Sequence, residues 1–229
     1  MSALKTVPSD ALEAVVSRRL ADVRARLASV SGGRHVRIVA VTKGFGAEVV
    51  AAAVASGVSD LGENYAQELL AKAPRAPGGV RWHFLGAIQT NKVARLAPIV
   101  GSWHAVDRPG AGDAVARHRP GAEVFVEVNV TGDPAKHGCR PAETDALVDH
   151  LRARGLDVRG LMTLAPPGDR SGSRAAFGRL AGLARSLGLA ELSMGMSDDF
   201  EEAVAEGATT VRLGRALFGA RPGVRPARR

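Results

Sequence analysis

VRIVAVTKGFG, residues 36–46, decides how the rest of the chain is read. The run from Val36 to Thr42 is apolar apart from Arg37, and it is short enough for a buried strand. It ends in Lys43, with glycine on either side of Phe45. Lysine is scarce in this chain: the others are Lys5, Lys72, Lys92 and Lys136. An unpaired amine at a buried strand end is costly, so either it reaches solvent or it has a task.

Seven further short apolar runs follow at strand length: Val58–Leu61, Val80–Leu85, Trp103–Val106, Val124–Asn129, Val158–Met162, Glu191–Ser193 and Thr210–Leu213. Helical patterns separate them, among them AEVVAAAVASG, NYAQELLAKA, TNKVARLAPIV and SRAAFGRLAGLARSLG; RPGAGDAVARHR is the weakest, because of its glycines and proline. Gly57, Gly155, Gly188 and Gly207 stand where helices should end. Strands alternating with helices mean a parallel sheet. Eight of them predict an α/β fold, a single-domain (β/α)8 TIM barrel, a little under the usual size of about 250 residues. The alternative, a doubly wound sheet, lacks a G-x-G-x-x-G after its first strand.

Ahead of the barrel, residues 9–30 form an amphipathic helix with Leu12, Val16, Leu20, Val23 and Leu27 on one face, and Asp10 as its N-cap. The barrel domain is read as residues 9–220, between a flexible N-terminus (1–8) and a basic flexible tail (221–229).

Composition narrows the function classes. Apolar residues make up 45% and charged residues 24%, which is ordinary for a globular domain. No apolar run reaches the roughly 18 residues of a membrane span, and the N-terminus lacks a signal-peptide pattern, so a cytoplasmic protein is expected. The formal charge is +8, but the arginines are scattered and aromatic residues are only 4%, so no nucleic-acid partner is expected. The lone Cys139 cannot form an internal disulfide. The histidines at 35, 83, 104, 118, 137 and 150 show no i, i+4 pair, and no metal site is expected.

In such a barrel the site lies at the C-terminal ends of the strands. Lys43 follows the first strand; Glu63, Asn64 and Tyr65 the second; His83, Gln89 and Asn91 belong to the third segment; Glu127 and Asn129 end the fifth. Met162 and Thr163 end the sixth. The loop after the seventh holds Gly195 and Ser197, the latter at the start of a helix, and the eighth carries Arg212, Gly214 and the short helical segment RALFG. Helix starts after strands seven and eight are where barrels commonly bind phosphate. The competing reading makes Ser197 a simple N-cap, with Asp198 and Asp199 satisfying the helix dipole. An amine on one side of the mouth and a phosphate cradle on the other suit pyridoxal 5′-phosphate, with Lys43 bonded to the aldehyde as an imine. Arg212, on a strand next to the first in a closed barrel, could hydrogen-bond the pyridine nitrogen and keep it unprotonated, which makes the ring a weak electron sink. Otherwise it is a salt-bridge partner for a neighbouring strand.

The motifs AVTKGFG, LGENYAQE, WHFLGAIQTNK, GLMTLAP and SMGMSDDFEEAVAEGATTVRLGRALFG, in this order, resemble the YggS/PROSC family, the pyridoxal phosphate homeostasis proteins, from about residue 9 to 220. The resemblance implies the alanine-racemase N-terminal barrel as a single domain. It makes Lys43 the imine lysine. It places the phosphate on Ser197, the Met196 backbone, Gly214 and Arg215, with Arg212 at the pyridine nitrogen. Asn64 and Met162 would line the ring pocket, and His83 and Ser193 are further candidates. Two departures stand out. Phe45 and Gly46 replace the lysine and proline that follow the imine lysine in many relatives, and Arg215 replaces a Ser or Thr.

Two functions follow. The first is a non-catalytic carrier or regulator in vitamin B6 homeostasis, with pyridoxal-phosphate-dependent apoenzymes as recipients. The alternative is an amino-acid racemase, which needs a second base opposite Lys43. Alanine racemases supply a tyrosine from a second, all-β domain of the partner subunit. This chain ends just after the barrel, so a monomer is expected, and its only tyrosine, Tyr65, is read as a packing residue. Lys136 is either a second cofactor site or a solvated loop charge.

Overall fold

The helix α1 (Ser9–Ser31) buries Val16, Leu20, Val23 and Leu27, as its spacing predicts, each contributing about 2 kcal/mol of apolar burial. Asp10 lies inside its first turn, not at the N-cap, because the helix already includes Ser9. The structure, a computed structural model, describes residues 9–221. The segments read as a flexible N-terminus (1–8) and, beyond Arg221, as a basic tail (222–229) lie outside the described residues.

After α1 the chain alternates β1 (Arg37–Val41), α2 (Glu48–Ala55), β2 (Asp60–Glu63), α3 (Ala66–Lys72), β3 (Arg81–Phe84), α4 (Thr90–Leu96), β4 (Val100–Val106) and α5 (Pro109–His118). It continues with β5 (Glu123–Glu127), α6 (Thr144–Ala153), β6 (Asp157–Met162), α7 (Arg170–Ser186), β7 (Glu191–Ser193), α8 (Phe200–Ala205), β8 (Thr210–Leu213) and α9 (Arg215–Phe218). The strands are parallel and close into a barrel in chain order, with β8 against β1 so that Val39 pairs with Arg212.

All eight expected strands are present, and three are displaced at an end. β5 stops at Glu127 rather than Asn129, whose N–H bonds Cys139 O (2.9 Å) in the following loop. β2 starts at Asp60 rather than Val58, because Val58 belongs to the cap of α2. The Val58 N–H bonds Ala53 O (3.0 Å) and the Gly57 N–H bonds Val54 O (2.9 Å), the paired bonds of a Schellman ending. The same paired bonds end α6 at Gly155, α7 at Gly188 and α8 at Gly207, and all four glycines have positive φ. β4 starts three residues early, at Val100, because α4 stops at Leu96 ahead of Pro98.

The helix α1 packs outside the β1–β8 seam against α2, α8 and α9. Arg19 donates to Leu217 O (3.2 Å), and Arg26 pairs with Glu201 (2.9 Å) while lying 4.5 Å over the Phe200 ring. It thus braces the two helices that flank the end of β8. Among the described residues no helix is long and apolar enough to cross a membrane.

Candidate functional site at the barrel mouth

The last turn before α2 places Lys43 just beyond β1, half-buried at the C-terminal rim. A buried cluster grips the chain on both sides of it. Lys72 Nζ donates to Thr42 O (2.8 Å), Glu63 Oε1 (2.6 Å) and Glu68 Oε2 (2.8 Å). Thr42 Oγ1 donates to Glu63 (2.6 Å), and the Gly44 N–H to Glu68 (2.8 Å). Burial pushes the Glu63 carboxyl up, against the bonds from Lys72 and Thr42 that pull it back. Burial also draws the Lys43 amine below the usual lysine range. The charges of Arg221 and Arg212 act the same way, and Glu63 and Glu68 oppose them. Phe45 packs edge-on against Phe218 (5.5 Å), joining the Lys43 loop to α9.

Lys43 faces a cavity of about 440 Å³. Asn64, Met162, Met196, Ser197, Arg212, Gly214 and Arg215 line it too, so the eight principal candidates from the sequence share one cavity. Arg221, the first residue of the segment read as tail, also lines it. Four cations thus face one acid, Asp198, an electrostatic setting for a phosphate. A second cavity of about 500 Å³ lies at the opposite, N-terminal end of β1 and β2, against Arg24, Arg34, Arg37 and Asp60. It is larger, but it holds no lysine, and barrel chemistry belongs to the other rim.

The phosphate side differs in detail from the expectation. Ser197 is not at a helix start: Asp199 takes the N-cap of α8, and its Oδ1 accepts from the Met196 N–H (2.6 Å). Ser197 Oγ instead accepts from the Ala216 N–H (3.0 Å), tying this loop to α9. Among the described residues the Ser197 and Arg215 amides have no acceptor. The Arg215 side chain pairs with Asp198. Gly195 has φ 91°, and a Cβ there would lie 2.6 Å from Ala203 Cβ.

Arg212 is buried, and burial lowers its guanidinium to about 10, with Glu127 and Asp199 opposing; it stays charged at neutral pH. It forms no salt bridge among the described residues, contrary to the competing reading for it. Nη1 donates to Ser193 Oγ (2.7 Å) and Nη2 to Thr163 O (2.8 Å). His83 and Ser193 do not line the cavity; they lie beneath it, fully buried. Tyr65 is not packed: it sits at the N-cap of α3 and is 57% exposed, outside the cavity lining. Lys136 Nζ donates to Leu164 O (3.2 Å) from an exposed loop.

Three polar groups escaped the sequence reading. His104 and Asp60 face the barrel interior with His83, whose ring is 2.8 Å from His104. A search for i, i+4 histidines misses residues brought together by neighbouring strands. Glu127, read only as a rim residue, is buried without a hydrogen-bond donor among the described residues, and burial with the charge of Asp107 raises it to about 7. Among the described residues no three metal-binding side chains cluster.

Fold and cavity together define a barrel of the alanine-racemase type, and the chain matches the alanine racemase N-terminal domain over residues 17–222. It is 42% identical over 220 residues to the pyridoxal phosphate homeostasis protein of Pseudomonas aeruginosa, covering 90% of this chain and 96% of that one. It is 41% identical over 201 residues to the protein of the same name from Deinococcus radiodurans, covering 84% and 95%. The structure of PipY from Synechococcus elongatus with pyridoxal phosphate bound superimposes with a TM-score of 0.80 at 31% identity, covering 89% of this chain and all of that one. The chain belongs to the pyridoxal phosphate homeostasis protein family.

Proposed function

We propose that this protein binds pyridoxal 5′-phosphate at the barrel mouth and serves vitamin B6 homeostasis as a non-catalytic carrier, with pyridoxal-phosphate-dependent apoenzymes as recipients. The observation that carries the reading is the single cavity joining an amine of lowered pKa, Lys43, to cationic Arg212, Arg215 and Arg221. The residues fit the cofactor. Lys43 would bond its aldehyde carbon with loss of water, Ser197 and the Ser197 and Arg215 amides would hold its phosphate, and Asn64 and Met162 would flank its ring. Arg212 would face the ring nitrogen. The cofactor supplies an electrophilic carbon and an electron-withdrawing ring; a guanidinium at the nitrogen weakens the second property.

The racemase alternative needs an acid–base group opposite Lys43. Among the described residues lining the cavity, the one carboxylate, Asp198, is paired with Arg215, and Tyr65 is absent. This supports a carrier.

The test is the visible spectrum of purified protein with added pyridoxal phosphate, before and after borohydride reduction, beside Lys43→Ala. A band that collapses on reduction and is missing in the variant is expected. A colourless wild type would overturn the reading. Racemase and transaminase assays then separate enzyme from carrier.

A further inference from the structure

Four hydrogen bonds run in one line through the barrel interior. Arg212 Nη1 is 2.7 Å from Ser193 Oγ, which is 2.8 Å from His104 Nδ1. His104 Nε2 is 2.8 Å from His83 Nδ1, and His83 Nε2 is 2.8 Å from Asp60 Oδ1. The first residue lines the Lys43 cavity and the last lines the cavity at the opposite end. Ser193, His104 and His83 are fully buried between them. The His104 ring is held flat against Phe125 (4.4 Å, 22°).

The order of the protons follows from the two ends. Asp60 is held ionised, so its carboxylate can only accept, and His83 donates to it from Nε2. A neutral His83 then leaves Nδ1 bare to accept from His104 Nε2–H, and His104 Nδ1 in turn accepts from the Ser193 hydroxyl. At the other end guanidinium can only donate, so Ser193 Oγ accepts from Arg212. Burial depresses both imidazoles, which keeps them neutral as this order requires. Every link points from the cation toward the carboxylate. Arg212 has no carboxylate in ion-pair contact among the described residues; Glu127 and Asp199 favour its charge without touching it, and a buried charge with no directly paired carboxylate is costly. At the far end Asp60 is partly exposed. Burial raises its carboxyl, but His83, Arg37 and Arg81 outweigh that and hold it below the usual range. Glu191 and Glu123 offset those two arginines.

We propose that Asp60 is a positioning residue for Arg212: through Ser193, His104 and His83 it orients the guanidinium and stabilises its charge from the opposite end of the barrel. The consequence for the cofactor rests on the reading that Arg212 faces its ring; the proton order does not.

Two measurements test it. In ligand-free wild-type protein, ring nitrogen-15 shifts are expected to show Nε2 protonated and Nδ1 bare in both His83 and His104. A proton on His104 Nδ1 overturns the proposal. In cofactor-loaded protein, Asp60→Asn is expected to shift the absorption maximum and weaken pyridoxal phosphate binding about threefold or more. In a Ser193→Ala background, which breaks the chain, the same substitution is expected to change neither. Equal effects of Asp60→Asn in both backgrounds, or none in either, overturn it. A wild type that takes up no cofactor would defeat the proposed function, while the ligand-free spectrum still decides the proton order.

Discussion

Lys72 Nζ donates to the carbonyl of Thr42, the residue that immediately precedes Lys43, at 2.8 Å. One buried amine therefore holds the backbone that presents another. Lys72 also neutralises Glu63, whose Oε2 already lacks a partner. Lys72→Met strands a buried carboxylate and should cost about 3–5 kcal/mol in urea unfolding at pH 7. Lys72→Met with Glu63→Gln should recover most of that stability, while coupling of the cofactor to Lys43 stays impaired because the Thr42 carbonyl has lost its donor. A single variant as stable as wild type would show that the cluster does not hold this loop.

Glu127 predicts a pH dependence of opposite sign to an ordinary salt-bridged acid. Its carboxyl is raised from 4.5 to about 7 in the fold, so the folded state favours the protonated form. The associated stability is complete below the unfolded value and is lost as pH rises through about 7, up to about 3 kcal/mol in all. Glu127→Gln should match wild type at pH 4.5 and exceed it at pH 8. Parallel stability–pH curves for the two proteins would refute the assignment.

Much of this architecture was legible in the sequence because apolar runs of strand length alternate with helical periodicity. The misplacements were local. Val58 is as apolar as a strand residue, but the positive φ of Gly57 commits it to the end of α2. Ser197 looked like a cap until Asp199, two residues on, took that position. Lys43, Arg212 and Ser197 were visible because each stands beside a strand end. Asp60 and His104 were not, since their partners lie 23 and 21 residues from them or more and meet only when neighbouring strands align.

Gly195 and Gly188 form a matched pair of substitutions. Both have positive φ, but a Cβ on Gly188 meets nothing within 4 Å, whereas one on Gly195 meets Ala203 and Phe200. Gly188→Ala should cost about 1 kcal/mol, the backbone strain alone. Gly195→Ala should cost about 3 kcal/mol and also weaken pyridoxal phosphate binding, since the displaced loop carries Ser197. Thermal melts and cofactor titrations of both variants check this; equal losses would mean that packing at Gly195 relaxes freely.

Arg215 and Asp198 are 61% and 75% exposed at their side chains, so breaking their pair should change stability by less than about 1 kcal/mol. Affinity for the cofactor should respond more. Arg215→Ala removes a cation from the cavity and should weaken binding, and Asp198→Ala removes its acid and should strengthen it. Both differences should shrink when the titration is repeated at high salt.

The four capping glycines lie in the turns that lead into strands, at the end of the barrel away from Lys43. A library of single substitutions, sorted first for expression and then for colour, should therefore divide along the barrel axis. Poorly expressed variants would gather at the base, and well-expressed colourless ones at the mouth. Asp60 would break the partition: a base residue whose loss leaves the protein abundant and alters its colour.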